Sequence, residues 1–174
     1  GKTFRPWHYV DNEWQVGDPP GLPLPLYGLD RLAARPDAPV LVVEGEKAAD
    51  AAQKLFPNYT CVTSPHGSNS AGKAFWGTLA GRSVTIWRDN DEPGRKYEAD
   101  VKMALQGVAS TVRVVQVPEN FPVKWDLADS VPDGADLQAL LGGAVEVRTA
   151  TRLTQISWSS MRGRPVLPVQ FDIQ

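Results

Sequence analysis

Acidic residues follow three separate apolar stretches of the sequence, and their spacing suits the binding of a divalent cation. Glu44 follows the first stretch, Asp89 and Asp91 follow the second, and Asp126 and Asp129 follow the third. Residues two apart in an extended chain point to the same side, so Asp89 and Asp91 can share one ion. Mg²⁺ and Mn²⁺ prefer hard oxygen ligands and keep part of their coordination shell for water and phosphate. The pattern therefore predicts a metal site for phosphate chemistry.

The elements that must position these acids are indicated by alternating apolar runs and amphipathic stretches between residues 39 and 143. Such alternation is typical of an α/β domain with a mostly parallel sheet, and ligands gather at the carboxyl-terminal edge of such sheets. The predicted strands are Val40–Val43, Tyr59–Thr63, Ser83–Trp87 and Thr111–Val117. The predicted helices are Glu46–Phe56, a weak one at Lys73–Leu79, one between Pro93 and Gly107, and Asp136–Leu141 with Asp133 as its cap.

The flanks of this region differ from it in composition, and we expect three segments in all. Residues 1–38 contain two aromatic and β-branched runs around the turn pair Asp11-Asn12, which predicts a β-hairpin followed by a proline-rich arm. Residues 39–143 form the predicted domain body. Residues 144–174 contain four arginines and two prolines without periodicity, which is typical of a linker or tail.

The overall composition excludes several classes of protein. A chain of 174 residues, 42% of them hydrophobic, is expected to fold around one core. The single cysteine, Cys61, cannot form an internal disulfide, and with two histidines it provides no zinc framework. The 18 basic and 20 acidic residues nearly cancel, so charge alone does not predict nucleic-acid binding. No apolar run is long enough to cross a membrane, and we expect a soluble, cytoplasmic protein.

Two motifs give the sequence a family resemblance. The stretches Val40-Leu41-Val42-Val43-Glu44-Gly45-Glu46-Lys47 and Val84-Thr85-Ile86-Trp87-Arg88-Asp89-Asn90-Asp91-Glu92-Pro93-Gly94 resemble the Toprim domain shared by topoisomerases and primases. Lys124 and Asp126 are similar to a later element of phage and plasmid primases, and the resemblance covers about residues 25 to 142. It implies a Rossmann-like sheet of four mostly parallel strands flanked by helices.

The same resemblance implies roles for individual acidic residues. Glu44 would act as the general acid or base or lie beside the metal. Asp89, Asp91 and Asp126 would bind Mg²⁺ or Mn²⁺. Asp129, three residues after Asp126, and Glu46 would either join the metal ligands or support them.

Within that family the sequence is most similar to DNA primases of the phage and plasmid type, which implies metal-dependent nucleotidyl transfer in primer synthesis. The partners would be a single-stranded DNA template, nucleoside triphosphates and a fused or associated helicase, in a bacterial host or phage-infected cell. Because the chain begins at Gly1 and has a short arm before its first sheet strand, we expect a fragment that is inactive by itself. Two alternatives are a Toprim-type metal-dependent nuclease and a non-catalytic module that binds nucleic acid or a replication partner.

A glycine-rich stretch offers a separate route to phosphate binding. Residues Gly67–Ala74 match the P-loop of nucleotide-binding ATPases except at Ala74, where that pattern has a hydroxyl residue that binds Mg²⁺. A P-loop ATPase is therefore the least favoured alternative, and a flexible polar loop is the plainer one. The residues that we predict to contact phosphate or nucleic acid are Lys47, His66, Lys73 and Lys124.

Overall fold

The computed structural model describes residues 6–21 and 23–147. Most of the predicted linker, from residue 148 onward, lies outside the described residues. Among the helices of the described part, none is long and apolar enough to cross a membrane.

A five-stranded sheet forms the centre of the described structure, with the strand order β4-β3-β5-β6-β7. β3, β4, β5 and β6 are parallel to one another, and β7 runs antiparallel to β6. The separate pair β1 and β2 forms the predicted antiparallel hairpin. The strands are β1 Trp7–Val10, β2 Glu13–Val16, β3 Val40–Val43, β4 Thr60–Val62, β5 Ser83–Trp87, β6 Thr111–Val114 and β7 Val145–Val147.

The predicted α/β class, the mostly parallel sheet and the N-terminal hairpin are confirmed, with one addition. The sequence predicted four sheet strands, whereas β7 adds a fifth from a segment that was expected to be linker. β7 has only three residues, Val145-Glu146-Val147, and this single alternation is too short for a sequence pattern to separate a strand from a tail. Pairing with the edge of β6 creates this strand.

Within residues 6–21 and 23–147, four α-helices and two 3₁₀ helices flank the sheet. They are α1 Leu29–Ala34, α2 Glu46–Leu55, α3 Glu92–Ala104 and α4 Leu137–Gly142, with 3₁₀ helices at Gly67–Lys73 and Trp76–Leu79. The helix predicted at Lys73–Leu79 is wrong, because extended backbone at Ala74 separates the two 3₁₀ turns. The cap predicted for the last helix also shifts, since the Asp136 carboxylate accepts from the Ala139 amide at 3.0 Å.

The sheet is buried on both faces, as the continuous apolar run of β3 predicts. Val40 and Val42 pack in the cluster that contains Tyr97 of α3. Leu41 and Val43 pack in the opposite cluster, which contains the alanines on the inner face of α2. All four β3 side chains are 0 to 1% exposed. Because β3, β4, β5 and β6 are parallel, their carboxyl ends lie at one edge of this buried sheet.

The strand order reverses at β3. β4 lies on one side of β3, and β5, which follows β4 in the chain, lies on the other side. In open α/β sheets such a reversal opens a crevice beyond the carboxyl ends of the strands, and ligands bind there. The crevice expected between β3 and β5 is where the first two acidic segments emerge.

Candidate functional site

Glu44 and Asp89 leave neighbouring strands at the same edge of the sheet. The parallel register pairs Val43 with Trp87, so Glu44 follows one strand directly and Asp89 lies two residues beyond the end of the other. Gly45 then turns the chain with a φ of 81°, a conformation that favours glycine. Its amide donates to Thr63 Oγ1 at 3.0 Å, and α2 begins at the next residue.

Asp91 caps α3. Its Oδ1 accepts a hydrogen bond from the Gly94 amide at 2.7 Å, which satisfies one of the open donors of the first helical turn. Gly94 lies directly against the backbone of Asp89, because a Cβ atom at this position would come within 2.4 Å of the Asp89 carbonyl oxygen. α3 therefore holds both aspartates of the second acidic segment.

Asn90, between these aspartates, brings in the third acidic segment. Its backbone amide donates to the Trp125 carbonyl at 3.0 Å, and its backbone carbonyl accepts from the Lys124 amide at 3.0 Å. Its side-chain amide donates to the Phe121 carbonyl at 2.9 Å. Because Asp126 follows Trp125 directly, these three bonds place Asp126 beside the end of β5.

Aromatic packing in the core supports the loop that carries Asp126. The Trp125 ring is 3% exposed and lies 4.8 Å from Phe121 and 6.5 Å from Trp87, measured between ring centroids. Trp87 lies in the core, as its position inside a strand predicted. Trp125 therefore packs in the core beneath the loop that carries Asp126.

The carboxylates at this edge are close enough to disturb one another. Burial, followed by the negative charges of Glu44, Asp126, Asp91 and Asp129 in that order, raises the pKa of Asp89 to about 8. Each charge favours the protonated Asp89, so in the absence of a cation this carboxyl holds a proton near neutral pH. The three acidic segments of the sequence thus meet at one place.

Lys47 lies beside the third acidic segment. Its ammonium is 3.4 Å from Asp126 Oδ2 and 3.6 Å from Asp129 Oδ1, and its side chain is 70% exposed. The two aspartates also bind backbone amides of their own loop: Asp126 Oδ1 accepts from Ala128 at 2.6 Å, and Asp129 Oδ2 accepts from Asp126 at 3.1 Å. Lys47 therefore offsets part of the negative charge.

The chemistry of these residues fits a divalent cation. Carboxylate oxygens are the ligands that Mg²⁺ and Mn²⁺ prefer, and a cation would relieve the repulsion that raises the pKa of Asp89. Within residues 6–21 and 23–147, however, no three acidic, histidine or cysteine side chains are arranged as metal ligands. Asp126 and Asp129 face Lys47, and Asp91 caps a helix. The metal ligands predicted from the sequence stay a prediction.

The remaining predicted contacts lie on an adjacent loop or on the surface. His66 has a φ of 62°, its Nε2 lies 2.7 Å from Asp18 Oδ1, and its backbone amide donates to Glu46 Oε1 at 3.1 Å. The Glu46 carboxylate thus holds the backbone of the loop that begins at His66. Lys73 and Lys124 have exposed side chains.

The glycine-rich loop lacks the feature that a P-loop uses to bind phosphate. In a P-loop the glycines lead into an α-helix whose first amides face the phosphates. Here residues Gly67–Lys73 form a 3₁₀ helix, and Ala74 continues in extended backbone with a φ of −85° and a ψ of 150°. The structure provides no helix N-terminus at the position that the pattern requires.

Arg88 and Asn90 support the site, although the sequence alone did not single them out. Arg88 Nε is 3.2 Å from Glu98 Oε2 of α3, with both side chains largely buried, and its Nη1 donates to the Asp89 carbonyl at 2.8 Å. The sequence signal for this contact is a basic residue that directly follows an apolar strand, with an acidic residue on the next helix. Asn90 carries no comparable signal, because its partners are backbone atoms of a distant loop.

Comparisons with known proteins gave structural likenesses. No family model matches the sequence, and no curated protein matches it. The fold is similar to a DNA primase domain from Pseudomonas aeruginosa, with 18% identity, a TM-score of 0.48, and coverage of 79% of this chain and 46% of that chain. It is also similar to a chain in a structure of the bacteriophage T7 lagging-strand DNA polymerase interacting with primase domains, which are bound to an RNA/DNA hybrid and dTTP. The identity is 24%, the TM-score is 0.42, and the match covers 62% of this chain and 55% of that chain. This chain thus spans about half the length of each solved chain it matches.

Proposed function

We propose that this domain is the catalytic core of a Toprim-type DNA primase, which joins nucleotides into a primer with the help of Mg²⁺ or Mn²⁺. The observation that carries the proposal is the meeting of carboxylates from three segments at the point where the strand order reverses. A solvated carboxylate at one strand end is common, but the burial of Asp89 among four other acids is costly without a function.

The residues have distinct roles in this proposal. Asp89, Asp91 and Asp126 would hold the metal, which would neutralise the triphosphate and lower the pKa of the attacking hydroxyl. Glu44 lies beside Asp89 on the neighbouring strand and would accept the proton of that hydroxyl or orient it. The oxygen of the primer end then bonds to the α-phosphorus of the incoming nucleotide, and pyrophosphate leaves.

The other candidates surround this centre. Lys47 would move from Asp126 to a phosphate of the substrate, because its exposed side chain can turn towards solvent. Lys124 lies two residues before Asp126, has an exposed side chain, and would contact the nucleic-acid backbone. The surface that binds the template strand would belong to the parent protein, since the acidic and basic residues of this chain nearly cancel. A helicase would belong to the parent protein as well.

A binding experiment tests the site itself. Mn²⁺ and Mg²⁺ should raise the thermal unfolding temperature of the 174-residue chain, because they bind the folded cluster and not the unfolded chain. The double variant Asp89→Asn/Asp91→Asn should lose this response. Asp37→Asn is the matched control, since this exposed acid precedes β3 at the opposite edge of the sheet. An equal metal response in wild type and double variant would overturn the site.

An activity experiment tests the reaction. Primer synthesis from the isolated chain should be undetectable, because alignment of template and two nucleotides supplies about 7 to 11 kcal/mol of the barrier and needs surface beyond this domain. The full-length parent should synthesise primers, and Glu44→Gln or Asp89→Asn should abolish synthesis while the domain stays folded. Full activity in both variants would refute the catalytic assignment, and strand cleavage in place of synthesis would favour the nuclease.

A further inference from the structure

A single buried hydroxyl, that of Tyr97 on α3, contacts the ends of two strands. Tyr97 is 0% exposed. Its hydroxyl donates to the Val43 carbonyl at 3.0 Å and accepts from the Ser64 amide at 3.3 Å. It also lies 3.2 Å from Thr63 Oγ1. Burial raises the pKa of Tyr97, so the hydroxyl keeps the proton that it donates to Val43.

These contacts hold the backbone on both sides of Glu44. Val43, whose carbonyl accepts from Tyr97, precedes Glu44 in the chain. Gly45 follows Glu44, and its amide donates to the Thr63 hydroxyl that Tyr97 also contacts. Because the Tyr97 proton goes to Val43, the Thr63 hydroxyl is the donor in its contact with Tyr97, and its oxygen is available to accept from Gly45. The turn that projects Glu44 is therefore tied to α3 through Tyr97.

The same face of α3 holds the second acidic segment. Asp91, Gly94 and Tyr97 are three residues apart in turn, which places them along one side of a helix. Asp91 caps the helix, and Gly94 touches the Asp89 backbone. One rigid helix face thus contacts the backbone next to Glu44 at one point and the backbone of Asp89 at another.

We propose that Tyr97 is a positioning residue, whose hydroxyl sets the distance between Glu44 and Asp89 at the acidic site. The part of this inference that concerns metal rests on the proposed function, while the part that concerns the Glu44 turn does not. Tyr97 touches no reacting atom and acts through the backbone groups of Val43 and Ser64, to which its hydroxyl is hydrogen-bonded. Residues that support metal ligands in this way commonly change metal affinity by about 10- to 100-fold when they are replaced.

The variant Tyr97→Phe tests the hydroxyl and keeps the ring. We expect amide hydrogen exchange at Gly45 and Ser64 to become faster, and Mn²⁺ to bind at least about tenfold more weakly. Thr63→Val removes the hydroxyl that accepts from the Gly45 amide, and it should speed exchange at Gly45 and weaken Mn²⁺ binding in the same way. The double variant should exchange Gly45 no faster, and bind Mn²⁺ no more weakly, than the single variant with the larger effect, because both substitutions break the same connection.

Val101→Ala is the control for a loss of stability alone. Val101 lies on α3 in the same core cluster as Tyr97, is 0% exposed, and has no polar group. Its truncation should lower the unfolding temperature at least as much as Tyr97→Phe, yet leave Gly45 exchange protected and Mn²⁺ affinity within about twofold of wild type.

Two results would overturn the inference. One is unchanged Gly45 exchange in Tyr97→Phe. The other is a loss of Mn²⁺ affinity in Val101→Ala equal to that in Tyr97→Phe, which would reduce the effect to stability. If wild type binds no Mn²⁺, the proposed function fails, and the exchange measurement still decides whether Tyr97 holds the Glu44 turn.

Discussion

Two polar regions beside the sheet, the acidic cluster and the Gly67–Lys73 loop, differ in how their residues are brought together. In the cluster, Glu44, Asp89 and Asp126 come from three segments; the pairing of β3 with β5 brings the first two together, and hydrogen bonds of Asn90 join the third. In the loop, the polar residues are neighbours in sequence. Local contacts, such as the Trp76 Nε1 donation to the Ala71 carbonyl at 2.8 Å, and the donation of the Leu24 amide to the Lys73 carbonyl at 2.7 Å hold its backbone.

This difference shows why the more complete local motif has the weaker functional case. The loop matches a phosphate-binding pattern at all positions but Ala74, yet its backbone does not lead into a helix. The acidic cluster matches no single continuous pattern, yet its members raise the pKa of Asp89 together. A site for a cation needs charges that converge in space, and convergence depends on strand order and loop docking.

The largest expected difference between the two regions concerns a glycine in each. Gly94→Ala should destabilise the fold by about 2 to 4 kcal/mol, because the new Cβ would meet the Asp89 carbonyl within 2.4 Å. Gly72→Ala should change the free energy of unfolding by less than about 1 kcal/mol, since a Cβ there meets no atom within 4 Å. Urea denaturation measures both, and equal effects would contradict the comparison.

A medium effect concerns the pH dependence of stability without metal. The pKa of Asp89 rises from its ordinary value of 3.8 to about 8 in the fold, so its stabilising contribution is complete below about pH 4 and is lost as pH rises towards 8. Asp89→Asn should therefore gain stability over wild type across this window, by about 1 to 3 kcal/mol at its upper end after allowance for partial contact with solvent.

Urea denaturation at several pH values in the presence of a chelator checks this effect. Gly72→Ala in the glycine-rich loop provides the control, because neither glycine nor alanine has a side chain that titrates. A stability difference between wild type and Asp89→Asn that stays constant from pH 4 to pH 8 would show that Asp89 ionises normally.

The smallest expected effect concerns one lysine from each region. Lys47→Met should lower the free energy of unfolding by less than about 1 kcal/mol, and added salt should reduce the difference, because the ion pairs with Asp126 and Asp129 are solvent-exposed. Lys73→Met should show no salt-dependent change of this size. Thermal unfolding at low and high salt compares the two lysine variants. A separate measurement of ATP affinity tests the ranking of the two regions: an affinity that depends strongly on Lys73 and not on Asp89 would reverse it.

Several features of this protein were determined by the sequence itself. An apolar residue at every position of Val40–Val43 requires burial on both faces, and that requirement predicts a central parallel strand. Apolar spacing and a stop at Pro57 predicted α2 within one residue of its end. The carboxylates that follow the strands were visible as well, because hydrophobic periodicity and chain order are local properties.

The tertiary structure decided which of these acids meet. The position of Asp126 depends on hydrogen bonds between Asn90 and a loop more than thirty residues away, and no local pattern encodes such contacts. The pairing of Lys47 with Asp126, the addition of β7 to the sheet and the hydroxyl of Tyr97 between two strand ends arise in the same way. Their physical reason is shared: each is a contact between segments distant in sequence, and it exists because strand order and packing bring those segments together.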